Sequence, residues 1–347
     1  MPEQRNSTNF LRVLAIALVV NSHMDNLYPV KVAFLATGGS MGNALFFMLS
    51  SWGLMLSMRA RPKAFGEWYG RRIVRIYPAV WVTVILLTFP MGILNGRIGA
   101  ENFLDELGKF FYPPFWFLEA LLIYYAIVFF VIRKYSVKRL VLVSAPVVAA
   151  YAVYYVFFLD ITKFSIEGTP FRLLFYLLVV LWGVYLGSRS DKIQFSGIQD
   201  VFFLFLSIAC IYGHKYLMQR GSLAEFQFVQ QLASFPMLYF WAKVANSSFI
   251  RDTIMGGRYL GRALTFVSGM TLEIFMVNNS IDPLDSKLGS FPLNVIALIS
   301  INIALALIIY YCAKPIRKAL ESDGPARPPV TRDPHATAEV APIPVSR

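Results

Sequence analysis

Ten runs of about twenty mostly apolar residues recur along this 347-residue chain, at roughly 9–29, 40–58, 76–95, 114–132, 139–159, 170–188, 198–214, 227–246, 261–281 and 291–312. A run of that length, rising 1.5 Å per residue as a helix, fits the ~30 Å hydrocarbon core of a bilayer. Inside a bilayer a lone segment satisfies its backbone only as a helix, so the runs predict an all-α polytopic membrane protein, a bundle of about ten transmembrane helices. Composition excludes the alternative of a large soluble domain, since 57% of the residues are hydrophobic and only 15% charged. The first run has no small-residue cleavage site and reads as a retained signal anchor.

The cations set the orientation. The connections after runs two, four, six and eight carry sixteen Lys and Arg residues, among them Arg59, Arg61, Arg72, Arg75, Arg133, Arg189, Lys192, Lys243, Arg258 and Arg262. The other five carry eight, diluted by acids such as Asp25, Glu101, Asp160 and Asp282. The positive-inside rule then predicts both termini in the cytoplasm. The net charge of +12 belongs largely to this asymmetry. It argues for contact with anionic membrane lipids and against nucleic acid as a partner.

Within the first run, Arg12 and His23 stand eleven residues apart. Eleven residues are about three helical turns, so the two side chains share one face, separated by roughly 16 Å. Ionisable groups at membrane depth line protein or a pathway more readily than lipid. The plain alternative is that Arg12 snorkels to the headgroups and His23 sits at the interface. A second cluster, Arg71-Arg72-Ile73-Val74-Arg75, puts Arg72 and Arg75 three apart on one helix face. Paired guanidiniums suit bidentate contact with phosphates, whereas an ordinary topology flank explains the cluster if it stands alone. Combined with Arg12 on the same side, it reads as a cytoplasmic anion site.

Other chemistry is thin. Cys210 and Cys312 fall in apolar runs with no Cys/His ligand spacing, so neither a disulfide framework nor a metal site is expected. No fixed-period repeat, phosphate loop or Gly-x-Ser-x-Gly elbow is present. The last residues, 316–347, are expected to form a disordered cytoplasmic tail, rich in Pro, Ala and Thr beyond Glu321, beside a transmembrane domain over 1–315.

Four short motifs in order carry a family likeness. Arg12, ten residues and His23 resemble the opening helix of the acyltransferase family 3 integral-membrane proteins. Gly42-Asn43-Ala44-Leu45-Phe46-Phe47-Met48-Leu49-Ser50 is similar to that family's second-helix pattern, with Ser51 where Gly is usual. The Arg72-x-x-Arg75 pair and Phe115-Trp116-Phe117-Leu118 follow. The resemblance spans about residues 8–315. It implies transfer of an acyl group, most often acetyl, from cytoplasmic acyl-CoA, acetyl-CoA in the usual case, to a sugar hydroxyl of an exported or envelope glycan. It also implies a multi-pass protein of the bacterial inner membrane, an acceptor that is in some cases lipid-linked, and no fused hydrolase-like domain in a chain of this length. Homo-oligomerisation is left open.

The residue chemistry fits that implication. A hydroxyl acceptor needs a base near neutral pKa, and His23 is the histidine suitably placed. A donor with a nucleotide phosphate head needs a cationic grip, which Arg72, Arg75 and Arg12 offer. The Arg12–His23 spacing then reads as a ruler for an extended pantetheine arm, with transfer either direct or through an acyl-imidazole. Glu119 and Glu273 are intramembrane acids, expected either to orient His23 or to sit in structural ion pairs. Asp25, two residues past His23, points away on an ideal helix and needs a break to act. Trp116 is read as packing on the donor or as part of an aromatic belt, and Ser50 as a small helix-contact residue. The Thr37–Asn43 strip, Asn43 included, reads as touching acceptor or as a plain loop. Asn278 stands where the family commonly has His and is assigned to the acceptor hydroxyl. His214 is expected at the surface. The rival class is a transporter or flippase, for which broken helices and inverted repeats are the expected marks. A scaffold that kept the fold and lost catalysis is a third reading, opposed by the intact Arg12, His23, Arg72 and Arg75.

Overall fold

The computed structural model describes residues 2–60, 62–94, 96, 103–112, 115–134, 140–162, 166–168, 171–220, 223–281 and 290–322. Among the described residues every regular element is helical: α1 (Pro2–Ser22), α2 (Gly39–Ala60), α3 (Phe65–Thr83), α4 (Phe89–Leu94), α5 (Phe103–Gly108), α6 (Trp116–Lys134), α7 (Leu140–Phe157), α8 (Phe171–Ser188), α9 (Ile198–Gln219), α10 (Phe228–Ala245), α11 (Leu260–Gly269), α12 (Thr271–Ile281) and α13 (Leu293–Ser322). A π-helical stretch, Val84–Thr88, joins α3 to α4. It follows Pro78, whose missing N–H already interrupts the ladder one turn earlier.

Each of the ten apolar runs coincides with a helix or a pair of helices. Six segments among the described residues are long and apolar enough to cross a membrane unaided, or seven if the bent pair α11–α12 counts as one span. The shortfall from about ten lies in α1, α7 and α10. Helix α7 is short in its apolar part, Leu142–Phe157. In α1 and α10 the cause is polar content that faces protein: Ser7, Asn9, Gln230 and Gln231 are all buried. These two helices pack inside the bundle, α1 against α2, α11 and α12 and α10 against α9 and α8, so lipid does not dictate their composition.

Small residues set the packing. A Cβ on Gly42 would lie 2.5 Å from the Ala15 carbonyl of α1, and one on Gly183 would lie 2.4 Å from the Met48 carbonyl of α2. Helix α2 is thereby clamped between α1 and α8 at near-backbone contact, the device that replaces hydrophobic drive where the surroundings are as apolar as the core. Helix α13 runs along α3 and α12. Its start is tied to the 3-10 turn that follows α1 by Asn294 Nδ2 donating to the Leu27 carbonyl (2.9 Å). Its far end brings Arg317 to the same cleft as Arg12. The start of α1 and the end of α13 therefore lie at one end of the bundle.

The helices outrun the apolar runs at that end. Helix α1 begins at Pro2, so Arg12 sits at mid-helix, ~15 Å from either terminus of α1, with about two and a half turns of helix before it. Helix α3 begins at Phe65, which places Arg72 and Arg75 inside a regular helix. Helix α13 passes Pro315 and continues to Ser322, so a tail boundary at residue 316 falls within it. Residues 323–347, His335 among them, lie outside the described residues, as does Arg61.

Candidate functional site

A cleft of about 320 Å³ opens where α1, α2, α3, α6, the α11–α12 junction and α13 converge. Arg12 comes from α1, Arg72 and Arg75 from α3, and Arg317 from α13; Glu273 of α12 is its one carboxylate. Arg75 lies within electrostatic range of Arg12, Arg72 and Glu273, and the Tyr125 hydroxyl within range of Arg12 and Arg72. Among the described lining residues four guanidiniums stand against one carboxylate, which makes the cleft strongly cationic, with Arg75 at its exposed edge.

Each cation is fixed by its helix. The Arg72 guanidinium rests 5.4 Å from the centre of the Trp68 ring, and Trp68 is itself 2% exposed. Arg317 Nη2 donates to Glu273 Oε1 at 3.5 Å, a long contact for a charged pair. The Nε atoms of Arg72 and Arg317 and the second Glu273 oxygen are buried without a protein partner. Buried polar atoms left so cost about 1–3 kcal/mol each, which marks the cleft as built around charge and not around packing. On one side the wall is aromatic: Phe46 and Phe117 stand 6.0 Å apart and Phe117 and Phe275 4.9 Å apart.

The α11–α12 junction supplies the last element. The two helices meet at 67° across Met270, and Ser268, Gly269 and Thr271 line the cleft at the break. Irregular backbone at this depth is tolerated where it borders a cavity. The start of α12 borders the cleft here, and Glu273 in its first turn complements the positive end of the helix dipole.

His23 sits elsewhere. It directly follows the last residue of α1, half-buried, its backbone N–H donating to the Val20 carbonyl at 3.2 Å. Neighbouring Asn21 pins the segment by donating to the carbonyls of Leu35 (2.6 Å) and Thr37 (3.1 Å) and accepting from the Tyr28 hydroxyl (2.9 Å). His23 does not line the arginine cleft. Beside the cleft an aromatic layer packs α2 against α6 and α8: Phe47 lies 4.5 Å from Phe117, 5.3 Å from Tyr124 and 4.9 Å from Tyr176, ring centre to ring centre.

The remaining sequence candidates divide. Glu273 forms its ion pair with Arg317, and Ser50 opens on the cleft and is not merely a helix contact. Trp116 does not border the cleft. It stacks on Tyr176 at 5.7 Å, with the Arg172 guanidinium 4.0 Å over its ring, in the aromatic layer. Glu119, expected to point inward, is exposed on the first turn of α6, because Leu118 and Ala120 take the buried face. Asn278 is 1% exposed and accepts from Asn302 Nδ2 at 3.2 Å; it joins α12 to α13 in the core. Asn43 is half-buried beside the Tyr176 hydroxyl, its Oδ1 unpartnered. The helix does break between His23 and Asp25, and Asp25 is exposed at the start of a 3-10 turn. His214, expected at the surface, is only 8% exposed within α9. Sequence reasoning missed Arg317 and Tyr125. The signal for Arg317 was present in Lys314-Pro315-Ile316-Arg317-Lys318, a cation run taken for the start of a tail.

A polytopic helical bundle that encloses four arginines, and carries a histidine at the far end of the helix bearing one of them, defines a membrane protein equipped to hold an anionic group within its fold. A family model described as an acyltransferase domain matches residues 5–311, and the chain belongs to that family, acyltransferase family 3; it is a membrane acyltransferase. No curated protein and no solved structure matches the chain.

Proposed function

We propose that this acyltransferase takes an acyl group, acetyl foremost, from cytoplasmic acyl-CoA and moves it to a sugar hydroxyl of an exported or envelope glycan, in the inner membrane of a bacterium. The observation that carries the reading is the cleft itself: Arg12, Arg72, Arg75 and Arg317 against a single Glu273, with an aromatic wall leading away. A donor with several phosphates at one end and a thioester at the other end of a slim, largely apolar arm suits that layout. Guanidiniums take phosphate oxygens in bidentate pairs. The arm then runs along Phe46, Phe117 and Phe275 toward the level of His23, which lies ~16 Å along α1 from Arg12.

In this reading His23 takes the proton from the acceptor hydroxyl as its oxygen attacks the thioester carbonyl. The new C–O bond forms, the C–S bond breaks, and the departing thiolate recovers a proton from the imidazolium. Arg12, Arg72, Arg75 and Arg317 bind and orient the donor and take no part in the bond changes. The proton moves to and from one group, so no metal is required in the scheme.

A transporter of a lipid-linked glycan is favoured by one observation, the broken α11–α12 pair, since discontinuous helices mark many transporter sites. The break borders the arginine cleft, where anion binding gives it a use without transport. Purified protein in proteoliposomes, supplied with radiolabelled acetyl-CoA outside and a glycan acceptor, separates the two. Acyl transfer appears as labelled glycan and free CoA in stoichiometric amounts; glycan movement without label would return the transporter reading.

A further inference from the structure

A second, larger cavity of about 1240 Å³ lies on the opposite side of α2 and α8 from the arginine cleft. It is a groove with α8 as its floor and α7 and α10 as its walls. Helix α7 leans on α8, while α10 packs chiefly on α9, so the two walls part. They meet at one end, where the Tyr151 hydroxyl of α7 donates to Gln231 Oε1 of α10 at 2.7 Å. The floor from Phe175 to Arg189 is ~21 Å long, more than half of a ~30 Å hydrocarbon core.

The other end is a cationic mouth. Arg59 ends α2, Arg189 follows α8 and Lys192 closes the next 3-10 turn; all three are exposed and border the groove, with Asp191 the one acid among the lining residues. Arg59 Nη1 donates to the Ser188 carbonyl at 2.9 Å, which ties α2 to α8 and fixes the mouth. The Arg189 guanidinium lies 5.1 Å over the Tyr185 ring, stemmed along the groove with its charge at the rim. Below the rim, Leu178, Leu181, Trp182 and Phe235 make the interior apolar. The indole N–H of Trp182 is buried there without a protein partner.

A site with clustered cations at one end and a half-membrane length of apolar wall below has the polarity of a phospholipid whose headgroup carries negative charge. We infer that the α7–α8–α10 groove binds one anionic phospholipid, its phosphate at Arg189 and Lys192 and its acyl chains along α8, from the leaflet at the end where the chain termini lie. Each basic residue near an anionic lipid surface contributes on the order of 1 kcal/mol, so loss of a mouth cation weakens such binding roughly fivefold. The inference stands apart from the acyl-transfer chemistry, since none of these residues borders the arginine cleft except through the shared helix α2.

Full-length protein in bilayer nanodiscs tests it by quenching of Trp182 with bromine-labelled acyl chains, the Trp182 contribution being isolated by comparison with W182F. Brominated phosphatidylglycerol is expected to quench that component at a severalfold lower mole fraction than brominated phosphatidylcholine. R189Q/K192Q should bring phosphatidylglycerol close to phosphatidylcholine, while the remote pair R258Q/R262Q should leave the preference intact. Equal quenching by the two lipids in the wild-type protein, which needs no variant to fold, would overturn the inference. So would an equal response of the two double variants, which would reduce the preference to general surface charge.

Discussion

Arg12 and His23 ride on one helix, yet their surroundings are built in opposite ways. Around Arg12 the protein assembles regular helices from six parts of the chain and gathers four guanidiniums in one cleft, Arg75 at its exposed edge. Around His23 it uses the end of α1, two short 3-10 turns and side-chain ties from Asn21, with apolar residues such as Val30 (95% exposed) and Phe34 (72% exposed) pointing outward. The contrast matches the two tasks that the proposed function assigns to these places. Holding several like charges together inside a membrane protein demands rigid positions, since small displacements change energies steeply at low dielectric. A base that must meet an incoming hydroxyl needs access, and irregular segments at an open end provide it.

If that division is real, the largest effect belongs to the imidazole. H23Q is expected to lower acyl transfer by roughly 10²- to 10⁴-fold, the usual worth of a general base, with normal protein levels, because the amide keeps hydrogen bonding and loses the basic nitrogen. Transfer assays on membranes with matched expression check this. Retained activity would mean that the open end has some other purpose.

A smaller but still large effect is expected in stability at the cleft. R317A removes the hydrogen-bonded cation of Glu273, 2% exposed, and leaves Arg75 as the other cation in range, so the expected cost is about 1–3 kcal/mol, that of a buried polar group losing its partner. R317M/E273M removes both charges and should recover most of the loss. Thermal unfolding in detergent measures both; an R317A protein as stable as the parent would show that the cleft does not hold its charges tightly.

Donor affinity is expected to change by a similar amount. R72A or R75A should each weaken acyl-CoA binding by about 1.5–3 kcal/mol, the range for hydrogen bonds to charged groups. Arg71 on the same helix pairs with Glu67 at 2.6 Å on an exposed surface away from the cleft, and R71A should leave acyl-CoA affinity near the parent's. Equal losses at all three would make the cluster a topology signal and erase the distinction between the two ends.

The sequence made the inner site more legible than the outer one, for physical reasons. Apolar runs reveal where helices cross, and spacing of three reveals that Arg72 and Arg75 share a face. Neither reveals which helices become neighbours, so Arg317, some three hundred residues from Arg12, was assigned to a tail. Hydropathy also reads the membrane and not the helix. Charged ends such as Pro2–Asn9, Phe65–Arg75 and Lys314–Ser322 continue as regular helix because good helix formers and tertiary contacts sustain it beyond the apolar stretch. Trp116 reads from the sequence as a donor contact or an aromatic-belt residue, while its actual neighbours, Tyr176 and Arg172, come from α8, whose packing on α6 no local pattern discloses. Asn278 likewise found its partner in Asn302 of α13 and so became a core residue.

The central claim is that donor binding and proton removal are assigned to separate places. Calorimetric titration of acyl-CoA into detergent-solubilised H23Q tests it most directly, alongside R72A and the parent protein. The account predicts that H23Q binds within about twofold of the parent, under ~0.4 kcal/mol, while R72A falls by tenfold or more. A loss of affinity in H23Q as large as that in R72A would contradict it, and would place the imidazole and the arginines in a single site.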